Sequence, residues 1–152
     1  MDKYIGTKII EGKPMNLVDA EEYLQRKIKP GNEPGYLVKY KDGWESWSPK
    51  DEFEAAYLRI IPNPKLKSGV SISQEMVDSF IQSVNVDTLG TKTTVVQAIL
   101  VNGFEITETS ACVDPENYSE ELGAEDCLRR IKDQIWWLLG FLLQTGVNGI
   151  EG

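Results

Sequence analysis

The feature that most constrains this fold is a long predicted helix, residues 120–144, whose second half is apolar on every side. Its large apolar side chains are Ile135, Trp136, Trp137, Leu138, Leu139, Phe141, Leu142 and Leu143. A helix that is apolar all round does not sit on the surface of a monomer. Other elements of the chain or a second subunit must therefore cover it.

The spacing of residues within this helix predicts how it is covered. One set of positions steps by three and four residues, which is typical of a knobs-into-holes seam. The seam consists of Leu128, Ile131, Ile135, Leu138 and Leu142. The remaining large side chains lie off the seam, so the helix has two apolar faces. One small sheet cannot cover both faces, and we predict a homo-oligomer that forms through the 120–144 helix.

Turn-forming residues divide the chain into two predicted modules. Two prolines, Pro62 and Pro64, are followed closely by Ser68-Gly69, which is typical of a turn or linker. We predict a small N-terminal α+β module with a β-hairpin at 1–62, a linker at 63–70 and a C-terminal module at 71–152. The second module is expected to contain a short helix, an antiparallel β-hairpin and the long helix. The fold class is therefore α+β.

Alternation and cap residues predict the elements of the N-terminal module. Its strands are expected at 4–11, 36–41, 44–47 and 58–61. Its helices are expected at 17–25, after Asn16 as N-cap, and from Pro49 to about Tyr57. Asp42-Gly43 supplies the positive-φ residues of a hairpin turn.

In the C-terminal module, Ser73 is the predicted N-cap of a helix that reaches about Val84. Strands are expected at 84–89, 91–101 and 104–113. Asn102-Gly103 is the strongest hairpin signal in the chain. Gly123 weakens the start of the long helix, where we expect a kink or break, and Thr145-Gly146 is expected to end it.

Charge is unevenly distributed along the chain. Residues 1–68 hold 12 Lys and Arg against 11 Asp and Glu, whereas residues 69–152 hold 4 against 13, a net charge of −9. Eight acids and no base lie within 105–126. Such a surface repels nucleic acid, so direct nucleic-acid binding is not expected. It serves either solubility or the docking of a basic partner.

Several kinds of chemistry are not expected. The chain has no histidine, so the commonest general base and metal ligand is missing. Its two cysteines, Cys112 and Cys127, lack zinc-type spacing and are expected to be buried thiols. An enzyme would need carboxylates such as Glu105 or Asp114 to act alone. We predict no enzyme activity, cofactor, metal site, signal peptide or membrane span, and a cytosolic location.

Two constellations are candidates for ligand binding. One is the aromatic and basic hairpin that contains Trp44 and Trp47, where an indole could stack a base or simply form a small core. The other is Arg129, Arg130 and Lys132, which follow directly on the acids of the long helix. These bases form either surface ion pairs at i+4 or, in an oligomer, an anion pocket.

Several stretches of the C-terminal module occur in an order that is typical of one family. They are Asn102-Gly103-Phe104-Glu105-Ile106, Thr109-Ser110-Ala111-Cys112-Val113-Asp114-Pro115-Glu116-Asn117-Tyr118, Arg130, Asp133, Ile135-Trp136 and Gly140-Phe141-Leu142-Leu143-Gln144. Residues 84–146 thereby resemble the gp forty-nine / gene sixty-six-like family of small tailed-phage proteins. The family offers no activity or catalytic residue to transfer. Trp137-Leu138-Leu139 departs from the polar residue expected after Ile-Trp, which strengthens the oligomer prediction.

The N-terminal module resembles a second phage-associated module. The resemblance covers residues 3–61 and rests on Gly35-Tyr36-Leu37-Val38, Asp42-Gly43 and Ser46-Trp47-Ser48-Pro49-Lys50-Asp51. Chains with that module also carry small counter-defence domains, including ones that sequester nucleotide immune signals. The resemblance therefore implies a phage or prophage origin and an accessory role.

Together these observations predict a non-enzymatic host-takeover or counter-defence binding protein of the infected or lysogenic bacterial cytoplasm. The first hypothesis is an oligomer that sequesters a small anionic ligand, such as a cyclic nucleotide. The predicted ligand-binding residues are Arg129, Arg130 and Lys132 for phosphates, with Trp44, Trp47 and Phe104 for base stacking. The alternative is an acidic inhibitor that mimics nucleic acid or blocks a host defence or replication protein.

Overall fold

The computed structural model describes residues 1–152 and divides them into two compact units. The first unit is Met1–Arg59 together with Thr145–Gly152, and the second is Ile60–Gln144. The segment 63–70, predicted as a linker, belongs to the second unit. Each unit combines helices with one antiparallel sheet, so the predicted α+β class is confirmed.

The first unit is a three-stranded sheet with two short helices. Its elements are β1 (Glu11–Pro14), α1 (Leu17–Leu24), β2 (Gly35–Lys39), β3 (Glu45–Pro49) and α2 (Lys50–Ala56). The strands pair in the order β1-β2-β3. Asn16 caps α1 by accepting a hydrogen bond from the backbone N–H of Asp19 at 3.0 Å. The predicted turn at Asp42-Gly43 is present, with Gly43 at a φ of 90°.

Trp47 organises the core of this unit. It packs with Leu17 and Ala20 of α1, and its indole Nε1 donates a hydrogen bond to the Met15 carbonyl at 2.8 Å. Gly35 lies directly under the ring, where a Cβ would come within 2.5 Å of Trp47 Cε2. Glycine is therefore required at the start of β2 so that the indole can reach the core.

Two strand predictions in this unit are wrong. Residues 1–10, predicted to begin a strand at Tyr4, contain no regular element, and Tyr4 is almost fully exposed. The first strand is Glu11–Pro14, because these residues pair with Lys39 to Tyr36 of β2. No strand forms at 58–61. Pairing partners decided both outcomes, since an extended segment becomes a strand only where a neighbour accepts its backbone hydrogen bonds.

The second unit is a three-stranded sheet with one face covered by a long helix. Its elements are α3 (Gln74–Ser79), β4 (Ile81–Leu89), β5 (Thr93–Leu100), β6 (Glu105–Ala111), a 3₁₀ turn (Pro115–Asn117) and α4 (Glu120–Asn148), whose last four residues belong to the first unit. The strand order is β4-β5-β6. The predicted turn at Asn102-Gly103 joins β5 to β6, with Gly103 at a φ of 84°.

The core of this unit lies between β5 and α4. Alternate residues of β5 are buried, ending in Val96, Ala98 and Leu100. The buried residues of α4 follow each other at four-residue steps: Cys127, Ile131, Ile135 and Leu139. Each large side chain buried here stabilises the fold by about 1.5–3 kcal/mol.

The long helix differs from its prediction in two respects. It is continuous through Gly123, where a Cβ would lie 2.7 Å from the Cβ of Thr94 in β5. Glycine thus allows close packing rather than a break. The helix also passes Gly146 and ends at Asn148, before Gly149 at a φ of 77°.

The buried face of α4 and the end of α3 also differ from prediction. Leu138 and Leu142 of the predicted seam are 41% and 39% exposed, whereas Cys127 and Leu139 are buried. The helix predicted to reach Val84 ends at Ser79, because residues from Ile81 onward pair with β5. Sheet pairing overrode a local helical pattern there.

Candidate functional site

The bases predicted to bind phosphate lie close together on α4, and each contacts a carboxylate. Arg129 donates to Asp126 at 2.7 Å and lies 3.8 Å from Asp133. Lys132 pairs with Asp78 of α3 at 2.9 Å. Arg129 is solvent-exposed, so its ion pairs resemble ordinary surface pairs of small net energy.

Arg130 is held by β6 as well as by its own helix. Its Nη1 donates to Glu108 Oε2 at 2.7 Å, and its Nη2 donates to the Thr109 carbonyl at 2.5 Å and to Asp126 Oδ2 at 3.1 Å. Gln134 donates to the second oxygen of Glu108 at 2.7 Å. The side chains of Arg130 and Glu108 are 34% and 24% exposed. Arg130 therefore ties α4 to β6 through charge-assisted hydrogen bonds.

These contacts shift the pKa values of the acidic partners. The hydrogen bond from Arg129, with the nearby charge of Arg130, holds the pKa of Asp126 below its ordinary value. The hydrogen bond from Lys132 does the same for the pKa of Asp78. Both carboxylates are therefore favoured in their charged forms.

The fourth base after residue 68 is also engaged. Lys92 donates its Nζ hydrogen to the Val113 carbonyl at 3.0 Å. All four bases of residues 69–152 are thus held by acceptors of the same unit. Each would have to exchange an existing contact before it could bind an external anion.

Most acids of this region have no such partner. Four of the thirteen form ion pairs, and the other nine are exposed and make none. Five of the nine lie where β6 leads into α4, and we call them the acidic corner. The acidic corner consists of Asp114, Glu116, Glu120, Glu121 and Glu125. Glu120 and Glu121 occupy the first turn of α4, where the helix dipole favours negative charge.

A hydroxyl chain supports the acidic corner. Thr88 Oγ1 donates to Glu120 Oε2 at 2.5 Å and lies 2.6 Å from the Tyr118 hydroxyl. Because a threonine hydroxyl has one hydrogen, Tyr118 must donate to Thr88, and Thr94 to Tyr118 across 3.0 Å. The start of α4 is thereby anchored to β4 and β5.

The aromatic residues predicted to stack a base have different environments. Trp47 is buried in the core of the first unit, as described above. Trp44 of the same unit is exposed, and the Arg26 guanidinium lies 4.7 Å from its ring centroid. Phe104 is exposed beside the Asn102-Gly103 turn of the second unit. Both ligand-binding predictions remain predictions.

A second group of exposed residues is apolar. Trp137 is 86% exposed, and Phe141, one turn later, is also exposed. Gly140 lies between them, and a Cβ added there would meet nothing within 4 Å. The sequence predicted this exposed face through the excess of apolar residues in the helix. It gave no indication of the hydrogen-bonded hydroxyl chain through Tyr118.

The cysteines are free thiols. Cys127 is fully buried and desolvation raises its pKa, which disfavours the reactive thiolate. Cys112 is half-buried and its Sγ donates to the Asp114 carbonyl at 3.1 Å. No group of three or more Cys, Asp or Glu side chains is placed to hold a metal ion. None of the helices combines the length and apolar character needed to cross a bilayer.

Comparison with known proteins identifies a family for most of the second unit. No curated protein and no solved structure matches the chain. A family model does match, over residues 72–147, and its description is the phage protein (N4 Gp49/phage Sf6 gene 66) family. The match does not include residues 1–71, so the predicted second phage module at 3–61 stays a prediction. The matched segment covers α3, the whole β4-β5-β6 sheet and nearly all of α4. This chain belongs to the N4 Gp49/phage Sf6 gene 66 family of phage proteins.

Proposed function

We propose that this phage protein is a non-enzymatic binding protein that docks its acidic corner onto a basic surface of a host defence or replication protein. The proposal rests on one difference between the bases and the acids of residues 69–152. Every base of residues 69–152 is engaged internally, while nine carboxylates are exposed outside any ion pair. A region of this kind attracts cations and repels anions.

This asymmetry favours the protein-binding alternative over sequestration of a nucleotide. A phosphate approaching Arg130 would have to displace Glu108, which is only partly exposed and also accepts from Gln134. Removing that carboxylate from its partners leaves a poorly solvated charge. A basic protein surface meets no such obstacle at Glu116, Glu121 and Glu125, whose side chains are exposed.

The acidic corner is also suited to recognition by geometry. The hydroxyl chain through Tyr118 fixes the first turn of α4, so the carboxylates are presented from an ordered element. Ordered charges lose little conformational freedom on binding. A groove that ordinarily holds nucleic acid is a fitting partner, because its lysines and arginines are arranged to meet rows of negative charge.

The test uses two charge-matched variants as bait. Glu116→Gln, Glu121→Gln and Glu125→Gln together remove three of the five charges of the acidic corner without touching a side-chain hydrogen bond. Glu11→Gln, Glu22→Gln and Glu52→Gln change the net charge equally in the first unit. Wild type and the first-unit variant should retain the same host protein, and the corner variant should lose it.

Two further measurements complete the experiment: release of the partner at raised salt, and calorimetry with a cyclic dinucleotide. Raising the salt from about 0.1 M to about 1 M shortens the Debye length from about 10 Å to about 3 Å, so the partner should be released. Equal retention by both variants would refute the proposal. So would calorimetric binding of a cyclic dinucleotide that is lost in Arg130→Met, because that result assigns the site to the bases.

A further inference from the structure

The exposed face of α4 lies opposite its buried face. At about 100° per residue, Trp137 lies two residues, or about 200°, from both Ile135 and Leu139. Ile135 and Leu139 are fully buried, whereas Trp137 is 86% exposed. Phe141 is exposed one turn further on. Two large aromatic side chains therefore point away from the core.

Gly140 adds a notch to this exposed face. Glycine in the middle of a helix lowers its stability, so its presence usually reflects a packing need. Gly123 has such a need within the chain, because Thr94 occupies the space of its Cβ. Gly140 has none, since a Cβ there would meet nothing. A contact from outside the chain accounts for the missing side chain.

The charge pattern indicates what covers this face. No charged residue lies between Asp133 and Glu151, although the second unit is acidic elsewhere. Two copies can therefore pack here without bringing carboxylates together. A basic partner would be drawn instead to the acidic corner, where the exposed charges are.

The exposed aromatic area is that of a small interface. Trp137 and Phe141 present on the order of 300–400 Å² per copy, judged from aromatic side chains that bury about 150–250 Å² each. Two copies would bury about 600–800 Å² through these rings, before the neighbouring polar side chains are counted, which is the size of a weak and concentration-dependent interface.

We propose that two copies of this chain pair antiparallel along α4, with Trp137 of each copy packed at Gly140 of the other. A two-fold axis between Leu138 and Leu139 brings these two positions together, and such an interface is self-complementary. The glycine lets the indole approach the opposing helix backbone closely. The pairing is independent of the acidic corner and of its proposed partner.

The experiment measures the native mass of the full chain by sedimentation equilibrium over a range of concentrations. Wild type should sediment at twice its 17.1 kDa chain mass. Gly140→Gln, which fills the notch with a good helix former, and Trp137→Ser should sediment at the single-chain mass. Circular dichroism should show unchanged helix, because both positions face away from the core.

The control is Leu122→Ser, which removes another exposed apolar side chain from the same helix. This variant should keep the doubled mass. Wild type at the single-chain mass throughout the range would overturn the proposal. A doubled mass in Gly140→Gln, or dissociation of Leu122→Ser, would overturn it equally, because either result places the contact elsewhere.

Discussion

Adjacent arginines of α4 have different structural roles. Arg129 extends into solvent beside Asp126 and Asp133, whereas Arg130 lies over β6 and bonds to Glu108 and the Thr109 carbonyl. The i+4 pairing of Asp126 with Arg130, one of the two predicted readings, is present at 3.1 Å. The contact with Glu108 is the larger structural contribution, because it joins a strand to a helix and is partly shielded from water.

Replacing each arginine separately tests this difference. Arg130→Met should lower the free energy of unfolding by about 1–2 kcal/mol, because Glu108 loses a charged donor while partly buried. Arg129→Met should change it by less than about 0.5 kcal/mol. Urea denaturation at neutral pH measures both values. Equal effects of the two substitutions would contradict the structural assignment.

The two glycines within α4 should respond oppositely to alanine. Gly123→Ala should destabilise the chain by about 1–3 kcal/mol, because the new methyl group overlaps Thr94. Gly140→Ala should stabilise the dissociated chain by about 0.5–1 kcal/mol, since alanine is the better helix former and its methyl group meets nothing. Denaturation at low protein concentration gives both signs. A stabilising Gly123→Ala would show that the helix does not pack closely on β5.

Asp126 should contribute a pH-dependent term to stability. Its pKa is lowered in the folded chain, chiefly by the hydrogen bond from Arg129. Between that lowered value and about 3.9 the unfolded state binds more protons, so stability falls as the pH drops through this range. Unfolding curves from pH 6 to acid, compared with Asp126→Asn, should show a weaker acid dependence in the variant. Parallel curves would exclude the linkage.

At the scale of elements, α4 organises the second unit because its two faces are chemically distinct. The buried face steps through Cys127, Ile131, Ile135 and Leu139 onto the β5 side of the sheet. The exposed face carries Trp137. The buried residues differ by one position from the predicted seam at both ends, with Cys127 in place of Leu128 and Leu139 in place of Leu138. Four-residue steps drift by about 40° each around the helix, so the buried residues wind slowly around α4, whereas alternating three- and four-residue steps keep to the line that faces a second helix.

Substitution of the two neighbouring leucines, Leu138 and Leu139, tests which of them faces the core. Leu139→Ala should cost about 2–4 kcal/mol of unfolding free energy, because its side chain is fully buried. Leu138→Ala should cost about 1 kcal/mol or less, since its side chain is partly exposed. Urea denaturation distinguishes them. A larger loss for Leu138→Ala would restore the originally predicted seam.

Local signals predicted elements where turns and caps define them. Asn102-Gly103, Asp42-Gly43, Asn16 and Ser73 are all placed as predicted, since each acts through its own backbone geometry. The strand at Glu11–Pro14 and the sheet pairing of Ile81–Val84 depend on partners distant in sequence, and local patterns carried no information about them. The contact of Arg130 with Glu108 was hidden for the same reason, because 22 positions separate the residues.

At the scale of the whole molecule, the basic side chains of residues 69–152 bind acceptors within the chain, whereas most of the acidic side chains are exposed to solvent. Residues 69–152 carry a net charge of −9, and the four bases among them all have internal acceptors. No charged residue lies between Asp133 and Glu151, the segment that carries the exposed aromatic side chains of α4, so the proposed pairing of two copies and the proposed basic partner use different surfaces. The two surfaces are distinct in chemistry and should respond independently to substitution.

The central claim is that the acidic corner, not the bases of α4, binds the partner. The most direct measurement is the dissociation constant of the captured host protein for wild type and for the two charge-matched triple variants. We expect the acidic-corner variant to bind at least about tenfold more weakly, a loss of about 1.4 kcal/mol, while the first-unit variant binds as wild type does. Equal affinities for all three proteins would contradict the account.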